Sequence, residues 1–118
     1  MKVEFKNNEW GRVIVVNGVE VGRIVDNVVS LDIYSSQFTE SGDRIDLGWA
    51  GSLIYSRANM GNHVVELIGH EHDDLRELIS VRIILSGEVN DDELSLMVLN
   101  VLRQYMDKEL LGMIEQHS

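Results

Sequence analysis

The sequence from Val13 to Val25 reads VIVVNGVEVGRIV. Two runs rich in β-branched residues flank Asn17-Gly18, a dipeptide that tolerates positive φ at both central positions of a two-residue turn. The stretch therefore predicts a β-hairpin. It decides the class of the fold, because the strand-like segments that follow can continue from it as a meander.

Further strand-like segments extend this pattern toward the middle of the chain. Asp26-Asn27 offers a second turn, and residues 28–34 alternate apolar and polar side chains in their second half, which is typical of a half-buried strand. The polar residues 35–43 predict a loop that Phe38 holds against the domain. Further strands are predicted at Arg44–Trp49, Ser52–Ser56, Val64–Ile68 and Val81–Leu85, with Gly48 and Gly51 marking a bulge or tight bend.

The segment between the last two predicted strands is ambiguous. His70–Asp74 breaks the apolar pattern, and Asp73 is suited to cap one helical turn over Leu75–Ser80. That turn would run straight into the strand that starts at Val81. A short turn or bulge is therefore the favoured prediction for this segment.

The C-terminal region predicts one long helix. Asn90 is a good N-cap residue, Glu93 follows three positions later as in a capping box, and the first-turn carboxylates face the positive end of the helix dipole. Apolar residues recur with helical spacing at Leu94, Val98, Val101, Leu102 and Tyr105, and Leu110 and Ile114 extend the stripe. The helix is expected from about Asp91 to Asp107 or a few turns beyond, with Gly112 as a second position where it could end.

These elements predict an α+β fold. Six to seven short strands form an antiparallel twisted sheet or a partly closed barrel, and one long amphipathic C-terminal helix packs across it. The 118 residues are expected to form a single domain, residues 1–118, because either half is too small for a core of its own.

Composition excludes several classes of protein. The chain has no cysteine, which rules out disulfides, thiol nucleophiles and cysteine-ligated metal centres. The charged start of the chain does not resemble a signal peptide, and no stretch approaches the ~20 apolar residues of a membrane span. A cytoplasmic protein with no membrane partner and no cofactor is the resulting expectation.

The net charge of −10 bears on the kind of partner. Residues 66–118 contribute −8 of it, with twelve acidic and four basic side chains. Such a chain repels phosphate backbones, so direct binding of nucleic acid is not expected. A concentrated negative charge instead speeds encounter with a basic protein.

Two acidic groups and one tryptophan are the candidate residues for contact with such a partner. The first acidic group consists of Glu71, Asp73, Asp74 and Glu77, the second acidic group consists of Glu88, Asp91, Asp92 and Glu93, and the tryptophan is Trp10. Trp10 follows polar residues and precedes a glycine, whereas Trp49 sits in a strand pattern and is expected to be buried. The sequence leaves open whether the two acidic groups share one face of the protein.

Histidines near the first acidic group raise an alternative function. His63, His70 and His72 lie among carboxylates, and in an extended segment His70 and His72 would point to one face. A small metal-dependent enzyme is therefore one hypothesis. The spacing matches no known metal motif, and no recognisable catalytic constellation is present, so a non-enzymatic protein is favoured.

The C-terminal helix raises a third hypothesis. It carries more apolar residues than one sheet face can cover, among them Leu96, Leu99, Leu111 and Met113. This excess suggests a self-assembling homodimer, of a structural or secretion-accessory (chaperone-like) kind, that associates through the helix. The favoured function is a non-catalytic acidic protein-binding module (an inhibitor, an antidote or immunity-type protein, or an adaptor) that engages a basic partner.

Overall fold

The structure is a computed structural model that describes residues 1–36 and 38–117. Gln37, within the loop predicted over residues 35–43, and Ser118 lie outside the described residues. The strands are β1 (Val3–Asn8), β2 (Gly11–Val16), β3 (Val19–Val25), β4 (Val28–Ser35), β5 (Asp43–Asp46), β6 (Ser52–Met60), β7 (His63–His72) and β8 (Leu75–Ile84). The helices are α1 (Asp91–Tyr105) and α2 (Lys108–Gln116).

The predicted α+β class is confirmed, and the strands form one antiparallel sheet in the order β1-β2-β3-β4-β8-β7-β6-β5. The sheet consists of two four-stranded meanders that are joined where β4 pairs with β8. Within the described residues β1 and β5 remain its edges, so the sheet is open, and the predicted antiparallel sheet describes it more closely than the alternative of a partly closed barrel. The eighth strand is β1, whose alternation of Val3 and Phe5 with charged residues is short and easily overlooked.

The hairpin predicted around Asn17-Gly18 is confirmed. Asn17 has φ 49° and Gly18 has φ 79°, so both turn residues adopt the left-handed conformation that a two-residue hairpin turn requires. The side chain of Asn17 also reaches the end of α2, where its Nδ2 donates to the carbonyl of Ile114 at 3.1 Å. The turn thereby binds the last helix to the sheet.

The segment between the last two predicted strands contains a short turn and a bulge, but the strands extend further into it than the sequence predicts. β7 continues to His72, and only Asp73-Asp74 form the turn to β8, with Asp73 at φ 54°. The strands tolerate polar residues here because one face of the hairpin is exposed to solvent. A bulge between Ile68 and Gly69 in the β7–β8 pairing accounts for the irregular apolar pattern before Val81.

The single predicted helix is replaced by two. Met106 adopts an extended conformation and ends α1, and Asp107 begins α2 by accepting a hydrogen bond from the Glu109 amide at 2.9 Å. Aspartate is a strong N-cap residue, which explains the break at this position. Gly112 lies inside α2 and does not end it.

None of the helices in the described residues is long and apolar enough to span a membrane.

Both helices pack on one face of the sheet, which we call the helix face. Residues that pair directly across neighbouring strands share a face, so the register assigns each directly paired strand residue to the helix face or to the opposite, open face. The most deeply buried residues of the core are Ile14, Val16, Val29, Leu31, Ile33, Ile54, Val81, Ile83, Val98 and Leu102. The sheet residues among them lie on the helix face, and Val98 and Leu102 come from α1.

The connection between β4 and β5 is held by Phe38, as predicted. Phe38 is buried, and a Cβ at Gly69 of β7 would lie only 2.5 Å from its ring. The absence of a side chain at Gly69 therefore creates the site that the aromatic ring fills. The guanidinium of Arg76 lies 5.0 Å above the same ring.

Substitution of Leu102 tests this packing. Leu102 is 0% exposed, so Leu102→Ala should lower the free energy of unfolding by about 2–5 kcal/mol through lost burial and a cavity. Leu96, on the same helix, is 63% exposed, and Leu96→Ala should change the free energy of unfolding by no more than about 0.5 kcal/mol. Urea denaturation of both variants measures the contrast, and equal losses would contradict the placement of α1.

Candidate functional site

The N-terminus of α1 is fixed by the capping interactions that the sequence predicts. Asn90 Oδ1 accepts a hydrogen bond from the Glu93 amide at 2.9 Å, and Asn90 Nδ2 donates to Glu93 Oε1 at 3.2 Å. The three acidic residues of the first turn lie at the positive end of the helix dipole. The cap thus sets the direction in which the carboxylates of the second acidic group point into solvent.

Asp91 is held by an arginine that the sequence analysis did not identify. Arg12 of β2 donates two hydrogen bonds to Asp91, each at 2.9 Å, and its guanidinium lies 4.7 Å above the Phe5 ring. These hydrogen bonds hold the pKa of the Asp91 carboxyl below its usual value and raise the pKa of Arg12. Because 79 positions separate the two residues, no local pattern could reveal the pair.

Trp10 lies at the same end of the sheet, in the turn between β1 and β2. Asn8 Oδ1 accepts a hydrogen bond from the Trp10 amide at 2.9 Å, and Trp10 itself is 79% exposed. The following Gly11 has φ 150° and passes so close to Ile24 that a Cβ would lie 2.2 Å from its carbonyl oxygen. The turn therefore presents a large aromatic side chain on a constrained backbone two residues before Arg12.

The candidate binding site at this end comprises Trp10 and the exposed carboxylates of Glu88, Asp92 and Glu93. We call this set the acidic end. Glu88 and Asp92 form no ion pair with the residues that the structure describes. Arg12 neutralises the charge of Asp91. The carboxylates of Glu88, Asp92 and Glu93 therefore carry the negative charge that no ion pair among the described residues neutralises.

The other acidic group is at the opposite end of the sheet. From Glu77 to the last residue of β8, Ile84, the strand rises by about 23 Å, and Glu88 lies beyond it. Glu71 is also neutralised, because Arg44 donates to it at 2.6 Å and lowers the pKa of its carboxyl. Asp73 and Asp74 form the exposed β7–β8 turn. The two groups therefore do not form one negative surface.

The three histidines proposed as metal ligands are not brought together. His63 begins β7 and accepts a hydrogen bond from the Ser86 amide, while His70 lies seven residues, or about 23 Å, further along the strand. His70 and His72 share a face, as predicted, and their rings stack with centroids 6.5 Å apart. Each donates through Nε2 to a backbone carbonyl, of Ala50 and Trp49 respectively, so neither Nε2 has a lone pair for a metal.

No group of three or more histidine, cysteine or carboxylate side chains suited to a metal ion occurs in residues 1–36 and 38–117. His70 and His72 instead hold the short 3-10 helix Gly48–Ala50 against β7. They line a cleft of about 550 Å³ together with Phe38 and Leu75. The geometry thus gives these histidines a structural role in this hairpin.

Trp49 is exposed, contrary to the expectation that it is buried. It lies in the 3-10 helix between β5 and β6 and is 92% exposed. Gly48 and Gly51 flank it with φ 68° and 90°, as expected for a tight bend, and this bend turns the side chain away from the sheet. β5 ends at Asp46, three residues before the predicted end of the strand at Trp49.

The apolar excess of the C-terminal region is only partly covered. Leu99 and Leu111 are half-buried against the core, whereas Leu96, Leu110 and Met113 remain exposed. These exposed residues are divided between α1 and α2. The break at Met106–Asp107 therefore splits the predicted apolar stripe into two shorter patches.

Comparison of the chain with protein-family models, with curated proteins and with solved structures finds no match.

The pair of Arg12 and Asp91 predicts a pH-dependent component of stability. Because the folded-state pKa of Asp91 is lowered, its contribution is present above the unfolded pKa of about 4 and is lost as the pH falls through the folded value. Asp91→Asn should therefore lower the urea midpoint near neutral pH but not in strong acid. Asp92→Asn, one residue further and without an arginine partner, is the control and should show a smaller effect at neutral pH.

Proposed function

We propose that this chain is a non-catalytic acidic protein-binding module, of the inhibitor, immunity or adaptor kind, that engages a basic partner protein. The observation that carries the proposal is the acidic end, where exposed Trp10 and the uncompensated carboxylates of Glu88 and Asp92 lie at the same end of the sheet. Tryptophan supplies a large apolar contact area, and exposed carboxylates steer a cationic surface toward it.

The rigidity of the acidic end supports this role. The Arg12–Asp91 pair ties β2 to α1, and the Asn90 cap fixes the first turn of the helix. A preorganised surface loses less conformational entropy when it binds. The backbone that carries Asp92 and Glu93 is therefore already held in place before the partner arrives.

The charged candidates have different expected roles. Asp91 and Glu93 take part in the folded structure through Arg12 and the cap, so reversing them would disturb α1 as well as the surface. Glu88 and Asp92 are exposed, and their reversal changes charge with little effect on packing. They are the residues with which the charge of this end is best tested.

Charge reversal tests the steering contribution. A pull-down from the native host lysate at low and moderate salt should retain one basic protein in stoichiometric amount. With that protein purified, Glu88→Lys/Asp92→Lys should slow association and weaken its dependence on salt. Asp73→Lys/Asp74→Lys makes the same charge change at the other end of the sheet. This control variant should associate faster than Glu88→Lys/Asp92→Lys. An acidic partner, or equal slowing by both variants, would contradict the proposal.

Trp10→Ala tests the anchor. Loss of a buried interface tryptophan costs about 2 kcal/mol or more, so the dissociation constant should rise by about thirty-fold, mainly through faster dissociation. Trp49→Ala is the matched control, since that tryptophan is even more exposed but lies at the other end of the sheet. Surface plasmon resonance separates the two rates. Unchanged affinity in Trp10→Ala would place the contact elsewhere.

A further inference from the structure

The open face of the sheet carries an apolar surface of its own. Of the buried or half-buried apolar residues outside the cluster that packs beneath the helices, the strand register assigns eight to the open face. They are Val13, Val15, Val28, Leu53, Tyr55, Val64, Ile68 and Ile84. Neither α1 nor α2 covers this face, since both contribute to the core on the other side.

A row of basic residues crosses the open face. Directly paired residues run across seven strands in the order Lys6, Val13, Arg23, Ser30, Arg82, Glu66 and Arg57. The four cations occupy every second strand, about 10 Å apart. Glu66 is only 6% exposed and lies 3.9 Å from Arg82, whereas Lys6, Arg23 and Arg57 are exposed and form no ion pair with the described residues.

A second row, which contains acidic residues, runs parallel to the basic row. It is displaced by two residues along β4 and β8, which places it about 7 Å nearer the β7–β8 turn. On β1, β2 and β3 the members of this row are Glu4, Val15 and Glu20. On β4, β8, β7, β6 and β5, in the order of the sheet, they are Asp32, Ser80, Ile68, Tyr55 and Asp43. Glu20, Asp32 and Asp43 are exposed and unpaired among residues 1–36 and 38–117. The open face thus carries parallel rows of opposite charge with apolar residues in and beside them.

We propose that a second copy of this chain covers the open face in a two-fold symmetric dimer. A two-fold axis that runs parallel to the rows and between them places the basic row of one copy over the acidic row of the other. Arg23 then faces Glu20 of the second copy, and Lys6 faces its Glu4. The same operation repeats each contact, as a two-fold interface requires.

The size of the face fits a stable dimer. The basic row spans six strand spacings, or about 29 Å, and the apolar rows extend over about 20 Å along the strands. The face therefore measures about 580 Å² per partner, or about 1,160 Å² for the two copies, which exceeds the ~1,000 Å² in total expected of a biological interface. Twisted sheets pack face to face at a spacing of about 10 Å. A nucleic acid fits less well, because the acidic row would repel its phosphates.

The test exchanges charges at two exposed positions of β3. Sedimentation velocity at micromolar concentration should give the wild-type chain twice the monomer mass. Arg23→Glu or Glu20→Arg alone places like charges opposite each other twice per dimer, so either variant should weaken dimerisation at least tenfold. An equimolar mixture of the two variants should regain the dimer mass, because both substituted positions then face unlike charges.

Two controls distinguish this interface from others. Arg103→Glu makes the same charge change as Arg23→Glu, but at an exposed position of α1, and it should leave the dimer intact. Leu96→Asp tests association through the helices: if it abolishes the dimer while Arg23→Glu does not, the proposal is overturned. A mixture of the charge variants that stays monomeric also overturns it, and so does a monomeric wild-type chain.

Discussion

The pairing of β4 with β8 is the contact on which the rest of the structure depends. Each meander on its own contains only local hairpins, and β4 and β8 are about 50 residues apart in the chain. Their register, from Val28 opposite Ile84 to Asp32 opposite Ser80, places Leu31 opposite Val81 in the centre of the core. Without this pairing neither the surface under α1 nor the continuous rows of the open face would exist.

The distribution of paired and unpaired charge explains how an acidic protein can be stable while part of its negative charge stays exposed. Arginines neutralise Asp91 and Glu71, which join distant segments of the sheet and helix. Other carboxylates near them, such as Asp92 and Asp74, stay exposed to solvent. Part of the negative charge therefore stabilises the fold, and the remainder supplies the field that a basic partner would meet.

The acidic end and the open face make different demands on a partner. The acidic end offers one large aromatic side chain beside negative charge, which is suited to a cationic surface. The open face offers both signs of charge in parallel rows, and a surface with the same rows in inverted order is its natural complement. Because a two-fold axis between the rows reverses the strand direction, the two acidic ends of the proposed dimer point away from each other.

The sequence by itself determined the features that arise from near neighbours. These include the Asn17-Gly18 hairpin, the Asn90 cap, the buried stripe of α1 and the anchoring of the β4–β5 connection by Phe38, because turn chemistry, capping and periodicity act over a few residues. Tertiary structure alone decided that Asp91 pairs with Arg12, that His63 lies far from His70, and that Arg23 and Arg82 fall in one row. Each of these depends on the register between strands distant in sequence, and no local pattern encodes that register.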